Sequence, residues 1–372
     1  MRASQRKLLI AVGLFAVIAV LAYRSRGAVS LEGFDWRRLG EAVRDARWSL
    51  LLLSLAAIYV CYWLRAWRWT RLSRHVGYAS TWSVFQDTVM GFTAIFLMGR
   101  AGEPVRPWLI ARRERLPAAS MFGIYVVERV FDVAVTVALT ALSLVFLPEL
   151  LRARPDTPRN AAASSYLPLL QKAGFVFLVG LLAAVLLLVY LRASDGGWAA
   201  QRIQTWQGQD GWRGATAGIF SGFLEGLRAL RTWGDLGMGL VLTVAHWVLI
   251  LLIYLWVPLS LGSGFELFDL HAAVLVLACT LLGSAVQLPA VGGGSQAGSF
   301  GAMTFFLRVA KEPAAAASLV LWLITFCGCA PLGIPLLLRE GLSLGELRRI
   351  AQDRAGGLGA AGQPRPAKGR QP

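Results

Sequence analysis

Charge is scarce in this chain, and acidic charge is the scarcer kind. Only 16% of the 372 residues are charged, 21 of them acidic against 37 basic, where soluble domains carry about 25%. Cysteine is limited to four residues and histidine to three. Cys61, Cys279, Cys327 and Cys329 all lie inside apolar runs. That placement speaks against a disulfide framework, and zinc-ligand spacing is absent. The cysteines read as small buried hydrophobes. No hydrolase triad, phosphate-binding loop or dinucleotide fingerprint in a strand–turn–helix context occurs. These absences argue against an enzyme, and no cofactor or metal is expected.

What is present is apolar. The composition is 56% hydrophobic with a mean hydropathy of +0.57, above the roughly 45–50% of soluble domains. Apolar runs near 8–22, 48–64, 82–98, 121–147, 168–191, 236–259, 271–288 and 315–338 approach the ~17–25 residues that cross ~30 Å of hydrocarbon. The sequence therefore predicts an all-α, polytopic integral membrane protein. Its net charge of +16 sits at the ends of hydrophobic runs, which fits anionic lipid and topology and no nucleic-acid partner. The first run follows Arg2, Arg6 and Lys7, as in a signal peptide. Tyr23-Arg24-Ser25-Arg26 stands where a small-residue cleavage site belongs, so the run reads as a retained helix.

Lys and Arg counts orient the chain. They number three before the first run, four in 65–74, five in 100–115, five in 192–231 and seven from Arg339 on; 148–166 has three, 308–311 two and 260–270 none. The rich group belongs in the cytoplasm, giving a multi-pass protein of the cell (inner) membrane with cytoplasmic N- and C-termini. Both flanks of 82–98 then fall inside and both flanks of 271–307 outside. Each segment reads as a re-entrant helical hairpin, a broken backbone tolerated only where protein or water satisfies it. The expectation is six full transmembrane helices plus two oppositely oriented hairpins in an inverted repeat. Residues 1–47 form an N-terminal helix and interfacial segment, 48–340 the transmembrane domain with repeats 48–147 and 236–338, and 341–372 a basic tail, disordered from about Ala355. In such repeats substrate sites lie near the midplane at interrupted helices. Segment 23–47 is placed outside although it carries six arginines. Trp36, Leu39 and Val43 make one apolar stripe there; Ile219, Phe220, Phe223, Leu224, Leu227 and Leu230 make a longer one. Both suit interfacial helices or loop helices packed on the spans.

Charge inside the apolar runs marks candidate sites. Gly99-Arg100-Ala101-Gly102-Glu103-Pro104-Val105-Arg106 offers two glycines for a tight turn and Pro104 to begin a helix. Glu103 is placed to accept from that helix's free N–H groups, and Arg106 to grip phosphate or carboxylate with a planar fork. Glu128, Arg129 and Asp132 lie within the next run, and each costs roughly 2.5–3.5 kcal/mol at the bilayer centre unless paired or wetted. Glu128 and Asp132 share a helix face, and Arg129 can reach Asp132. They make either a structural ion cluster or the lining of a polar cavity. In the second hairpin, Gln287, Pro289, Gly292, Gly293, Gly294 and Gln296 form an uncharged turn whose backbone N–H groups suit an anion nest or close helix packing. His246 reads as a satisfied intramembrane histidine. Trp63, Trp67 and Trp69, interleaved with Arg65, Arg68 and Arg71, read as an interfacial anchor.

These same motifs carry a resemblance. Gly99–Arg106, then Val127-Glu128-Arg129-Val130-Phe131-Asp132, then Leu288-Pro289 leading into Gly292–Gly294 resemble successive signatures of the flippase-like transmembrane region of lysylphosphatidylglycerol synthases. Leu64-Arg65-Ala66-Trp67-Arg68-Trp69 is similar to that region's Arg/Trp-rich stretch. The resemblance spans roughly 45–340. In many members an acidic residue follows the glycine turn, whereas Gln296 and Ala297 stand here. The soluble domain of aminoacyl transfer is not seen after 340. The resemblance thus implies the membrane half alone, a stand-alone module that binds, and translocates, a phospholipid or lipid-linked amphiphile with an anionic or zwitterionic head group. Arg106 and Arg129 would meet that head group, balanced by Glu103, Glu128 and Asp132, with the two glycine turns lining the cavity from opposite sides. A non-catalytic partner or embedded enzyme of polyprenyl-phosphate or lipid-linked sugar metabolism is the alternative, a scaffold a third reading, and a homo-oligomer is compatible with all three.

Overall fold

The computed structural model describes residues 35–152, 168, 171–183, 186, 190, 205–206, 232–262, 264–284, 287–288, 292–342 and 345–346. The first apolar run, part of 168–191, the stripe at 219–230, Pro289 and the tail from 347 lie outside them. The described chain is helical except for one minimal β pair. In order come α1 (Trp36–Arg44), α2 (Trp48–Ser73), α3 (Thr81–Met98), a 3-10 turn (Gly99–Gly102), α4 (Val105–Arg113) and α5 (Ala118–Arg152). Then follow α6 (Gln171–Ala183), α7 (Trp233–Leu261), α8 (Leu270–Gly283), β1 (Gln287–Leu288), β2 (Gly292–Gly293) and α9 (Gly294–Gly301). A π turn (Ala302–Phe306), α10 (Lys311–Trp322), a second π turn (Leu323–Cys327) and α11 (Ala330–Arg339) complete the order.

Local chemistry sets the ends. Asp35 caps α1 by accepting from Arg37 N–H at 2.8 Å, Thr232 caps α7 from Asp235 N–H at 3.1 Å, and Asp269 caps α8 from Ala272 N–H at 2.9 Å. Each hydroxyl or carboxylate replaces a missing helix partner. Asp235 also joins α7 to the loop after α2 through Arg74 at 2.6 Å. Burial alone would raise its carboxyl, but bonds from Thr232 and His75 and the Arg74 charge hold it below the usual value.

Four helices among the described residues are long and apolar enough to cross a membrane: Trp48–Ser73, Ser120–Phe146, Gly237–Leu261 and Lys311–Arg339. They coincide with four of the six expected crossings. The π turn at Leu323–Cys327 lies within the last of them.

Contacts along α2 and α7 fix their relative direction. Arg47 N–H donates to Ser260 O at 2.7 Å, Cys61 Sγ meets His246 O at 3.5 Å, and Arg74 meets Asp235. The two helices run antiparallel over their whole length. At the Ser73 end of α2 the chain turns into α3, reverses at Gly99–Gly102, and returns as α4. Ser80 N–H donates to Glu114 Oε2 at 3.3 Å, and Arg113 pairs with Asp87 at 3.2 Å, so both arms begin and end together. Gly91 and Gly102 permit the close approach. A Cβ at Gly91 would stand 3.1 Å from Arg106 Cα, and one at Gly102 would collide with the Ala94 carbonyl.

A second hairpin opens at the opposite end. Gly264 sits against Val309 and Pro313 beside the Leu261 end of α7. There α8 and α9 pack through Gly283 against Gly294 and Gly298 against Cys279. The hairpin tip closes as a two-residue antiparallel ladder, Gln287 opposite Gly293 and Leu288 opposite Gly292. That ladder is the one departure from an all-helical expectation. The last helix starts near α1, where Asp35 N–H meets Glu312 at 3.4 Å, and ends beside α4, where Glu340 lies 3.8 Å from Arg113. The short stripe on α1 faces inward through Leu39 and Val43, while Trp36 stays exposed.

Because Gly91 lies against the α4 backbone, Gly91→Val is expected to push the arms apart. The destabilisation should be about 1–3 kcal/mol, as for other overpacked interiors, seen as a lower thermal midpoint in detergent. An unchanged midpoint would mean that the arms are not held this closely.

Candidate functional site

Where α2, α4, α5 and α7 converge, four arginines meet two carboxylates. The helical period puts Arg65, Arg68 and Trp69 on one face of α2. Glu128, Arg129 and Asp132 come from α5, Arg106 from the first full turn of α4, and His246, Thr243 and Trp247 from α7. Glu128 is fully buried. Its two oxygens accept from Arg65 at 3.0 Å, from Arg106 at 3.1 Å, from Trp69 Nε1 at 2.7 Å, and from Arg68 in a very short ion pair. Asp132 takes Arg65 at 3.2 Å, Arg129 at 3.1 Å and Trp247 Nε1 at 3.3 Å, with Arg68 at 3.8 Å.

Aromatic faces hold the guanidinium planes. Arg106 stacks 4.6 Å from the Trp69 centroid, Arg129 5.2 Å from Tyr125, and Arg65 5.3 Å from Phe92. Each such contact contributes roughly 0.5–2 kcal/mol, more when desolvated. His246 Nε2 lies 2.8 Å from Arg65 Nη2, and Nδ1 lies 2.9 Å from the Thr243 carbonyl. Arginine only donates and a carbonyl only accepts. These partners therefore assign a neutral ring with its proton on Nδ1.

The cluster is not charge-balanced. Four guanidinium groups against two carboxylates leave an excess of two positive charges. Among the described residues, the buried Nε atoms of Arg68, Arg106 and Arg129 have no hydrogen-bond partner. Buried donors are nearly always satisfied, so three such orphans in one cluster are unusual. The Arg129 side chain is 38% exposed; Arg68 and Arg106 are almost fully enclosed.

The family model of the lysylphosphatidylglycerol synthase TM region matches residues 8–333. The chain belongs to this family. No curated protein and no solved structure matches it.

In this member of the lysylphosphatidylglycerol synthase transmembrane family, Arg106, Glu128, Arg129 and Asp132 are brought together. Glu103 stands one step away. Instead of capping α4 it ends the 3-10 turn, and its carboxylate takes the Tyr125 hydroxyl in a short hydrogen bond. Arg100 is exposed at the hairpin tip, and Gly102 is buried there. The second glycine turn does not join the cluster. The Gly293 N–H is committed to Gln296 Oε1 at 2.6 Å, which removes one donor from the expected nest. Gln296 instead packs in a separate group with Tyr254, Thr280, Ser295, Ser299 and Trp322, with no room for a water between them. Ser295 Oγ and Trp322 Nε1 are buried there without partners among the described residues.

Arg65, Arg68 and Trp69 were expected at the interface and are instead core members of the ion cluster; Trp63 and Trp67 do remain exposed, with Arg71 over Trp67 at 6.0 Å. The signal was periodicity. Ile58, Cys61, Tyr62, Arg65, Arg68, Trp69 and Leu72 share the inward face, whereas Trp63, Trp67 and Arg71 follow another stripe. His246 has both ring nitrogens partnered, as expected.

Glu128 is expected to be the least replaceable member. Glu128→Gln strands Arg68 and Arg106, for which removal of one partner of a buried pair costs about 3–5 kcal/mol. Arg129→Gln, at the half-open edge, should cost about 1 kcal/mol or less. Denaturation midpoints of the two variants in one detergent check the order, and equal losses would contradict it.

Proposed function

We propose that the chain binds, and translocates, a lipid or lipid-linked amphiphile through a phosphate-bearing head group, without chemical catalysis. The observation that carries this reading is the excess of two buried positive charges with three unpartnered arginine Nε–H groups. A phosphate oxygen accepts from such groups with the geometry of a planar fork. The family relation supports lipid handling in a membrane. The cluster lies about 15 Å along α5 from Ser120, at 1.5 Å per residue, which is mid-depth for a bilayer of ~30 Å.

The antiparallel pair α2 and α7, each followed by a hairpin opening at its own far end, supports an inverted repeat with two re-entrant hairpins. Such repeats serve alternating access around a fixed midplane site. In this reading the Ser73 end faces the cytoplasm, in line with its Arg-rich loops. Cysteines placed at Tyr78 and Arg115 should then be labelled from the cytoplasmic side, and one at Leu267 from the outside. Labelling of positions 78 and 115 from opposite faces would contradict the hairpin.

Native mass spectrometry of the protein released from membranes tests binding. The wild type is expected to carry a phosphate-containing lipid, with occupancy lower in Arg106→Lys and lower again in Arg106→Ala. Lysine keeps the charge and loses the fork. Folded Lys and Ala variants that both retain wild-type lipid would remove Arg106 from the site.

A further inference from the structure

Asp87 lies in α3, outside the arginine cluster, and takes no part in the proposed head-group site. The residue is fully buried. Oδ1 takes Arg113 Nη1 at 3.2 Å. Oδ2 is buried with no partner among the described residues, and so is the neighbouring Thr88 Oγ1. An ionised carboxylate offers acceptors only, and a dry, unpaired anionic oxygen is among the costliest groups to bury. Protonated, the same oxygen becomes a donor and loses its charge.

The one cation it meets among the described residues is shared. Arg113, with its side chain 34% exposed, also places Nη2 3.8 Å from Glu340 Oε1, at the end of α11. Glu114, next along α4, adds a third carboxylate, whose Oε2 accepts from Ser80 N–H. Two acids therefore share one guanidinium with a third carboxylate nearby in sequence, and Asp87 is the most enclosed. Of the other cations packed around this arm, Arg106 lies over Phe92 but pairs with Glu128. Arg112 stacks on Trp108 at 5.2 Å, and Arg339 is exposed. From α2 the arm meets rings, Trp63 on Phe85 and Tyr62 on Phe92, with Arg65 over Phe92 but tied to the ion cluster. From α11, Gly333 packs on Thr93 and Val89.

We infer that Asp87 is a proton-binding site whose occupancy decides which partner Arg113 holds. With Asp87 ionised, Arg113 clamps α3 to α4 and keeps the first hairpin closed at its mouth. When a proton from water at that half-open mouth moves onto Oδ2, Asp87 becomes neutral and Arg113 turns to Glu340. The return arm is then tied to the last helix instead of to α3. Loss of the proton reverses both changes. Because this hairpin also supplies Arg106, the exchange gives the proposed translocation a proton to run on. That consequence rests on the translocation reading; proton binding itself does not.

Infrared pH titration of the full chain in lipid nanodiscs reads the site directly. The wild type is expected to show a carboxylic-acid C=O band that persists well above the range of solvent carboxyls, at about pH 4. Asp87→Asn should lack it. Glu340→Gln, changed at a side chain 41% exposed, removes the competitor for Arg113. It should lower the proton affinity of Asp87 by about tenfold, one pH unit. The same band in Asp87→Asn, or an unmoved midpoint in Glu340→Gln, would overturn the inference. Should Asp87→Asn fail to fold, the Glu340→Gln shift decides alone. A band that behaves as expected in a protein that moves no lipid would support this site while contradicting translocation.

Discussion

Glu128 is the point on which the bundle turns. It has no exposure, yet it accepts from three arginines and one indole, drawn from α2 and α4, and it belongs to α5. Ionisable groups at the middle of a bilayer are tolerated when they face one another, so each helix that brings an arginine needs this carboxylate. Asp132, one turn on, repeats the device and recruits α7 through Trp247. Helices that bury charge in hydrocarbon have little freedom to slide, because any shift leaves an unpaired ion dry. The close packing of Gly91 and Gly102 then fixes how deep Arg106 enters. Architecture and site are set by the same interaction.

That interaction is also incomplete by design of its composition. Two carboxylates can organise four guanidinium groups but cannot neutralise them. A purely structural network gains nothing from surplus charge, since a like charge left uncompensated in a low dielectric opposes folding. On the function proposed above, an anionic head group would supply the missing counter-charge and the missing acceptors. The second hairpin differs in kind. The side chains around Gln296 are hydroxyls, an amide and an indole with no charge among them. The Gln296 side chain, spent on the Gly293 N–H, shows how that turn is stabilised in a member with no carboxylate there.

Much of the fold could be read from the sequence because hydropathy and arginine placement are strong signals. Four expected crossings coincide with four long apolar helices. The ion cluster was half legible. Glu128, Arg129 and Asp132 stood out because charge inside an apolar run is anomalous, and Arg106 because it follows a broken helix. Arg65 and Arg68 were hidden by their neighbours, since alternating Arg and Trp at a helix end is also how membrane interfaces are anchored. Only the 3.6-residue period separates the two stripes, and a positive-inside count discards it. Glu103 was misjudged because a local capping rule competed with a tertiary partner, Tyr125, that lies 22 residues away. Asp87 was passed over as one acid in an apolar arm, because its significance depends on Arg113 and Glu340 converging on it from two other elements.

On the proposed function, phosphate completes the arginine surplus. Electron cryomicroscopy of the full chain in nanodiscs of its native lipid should then show phosphate density within hydrogen-bond distance of the Nε atoms of Arg68, Arg106 or Arg129, with acyl chains leaving past Arg129. A cluster closed on its own side chains, with ordered lipid only on the outer surface of the bundle, would contradict it.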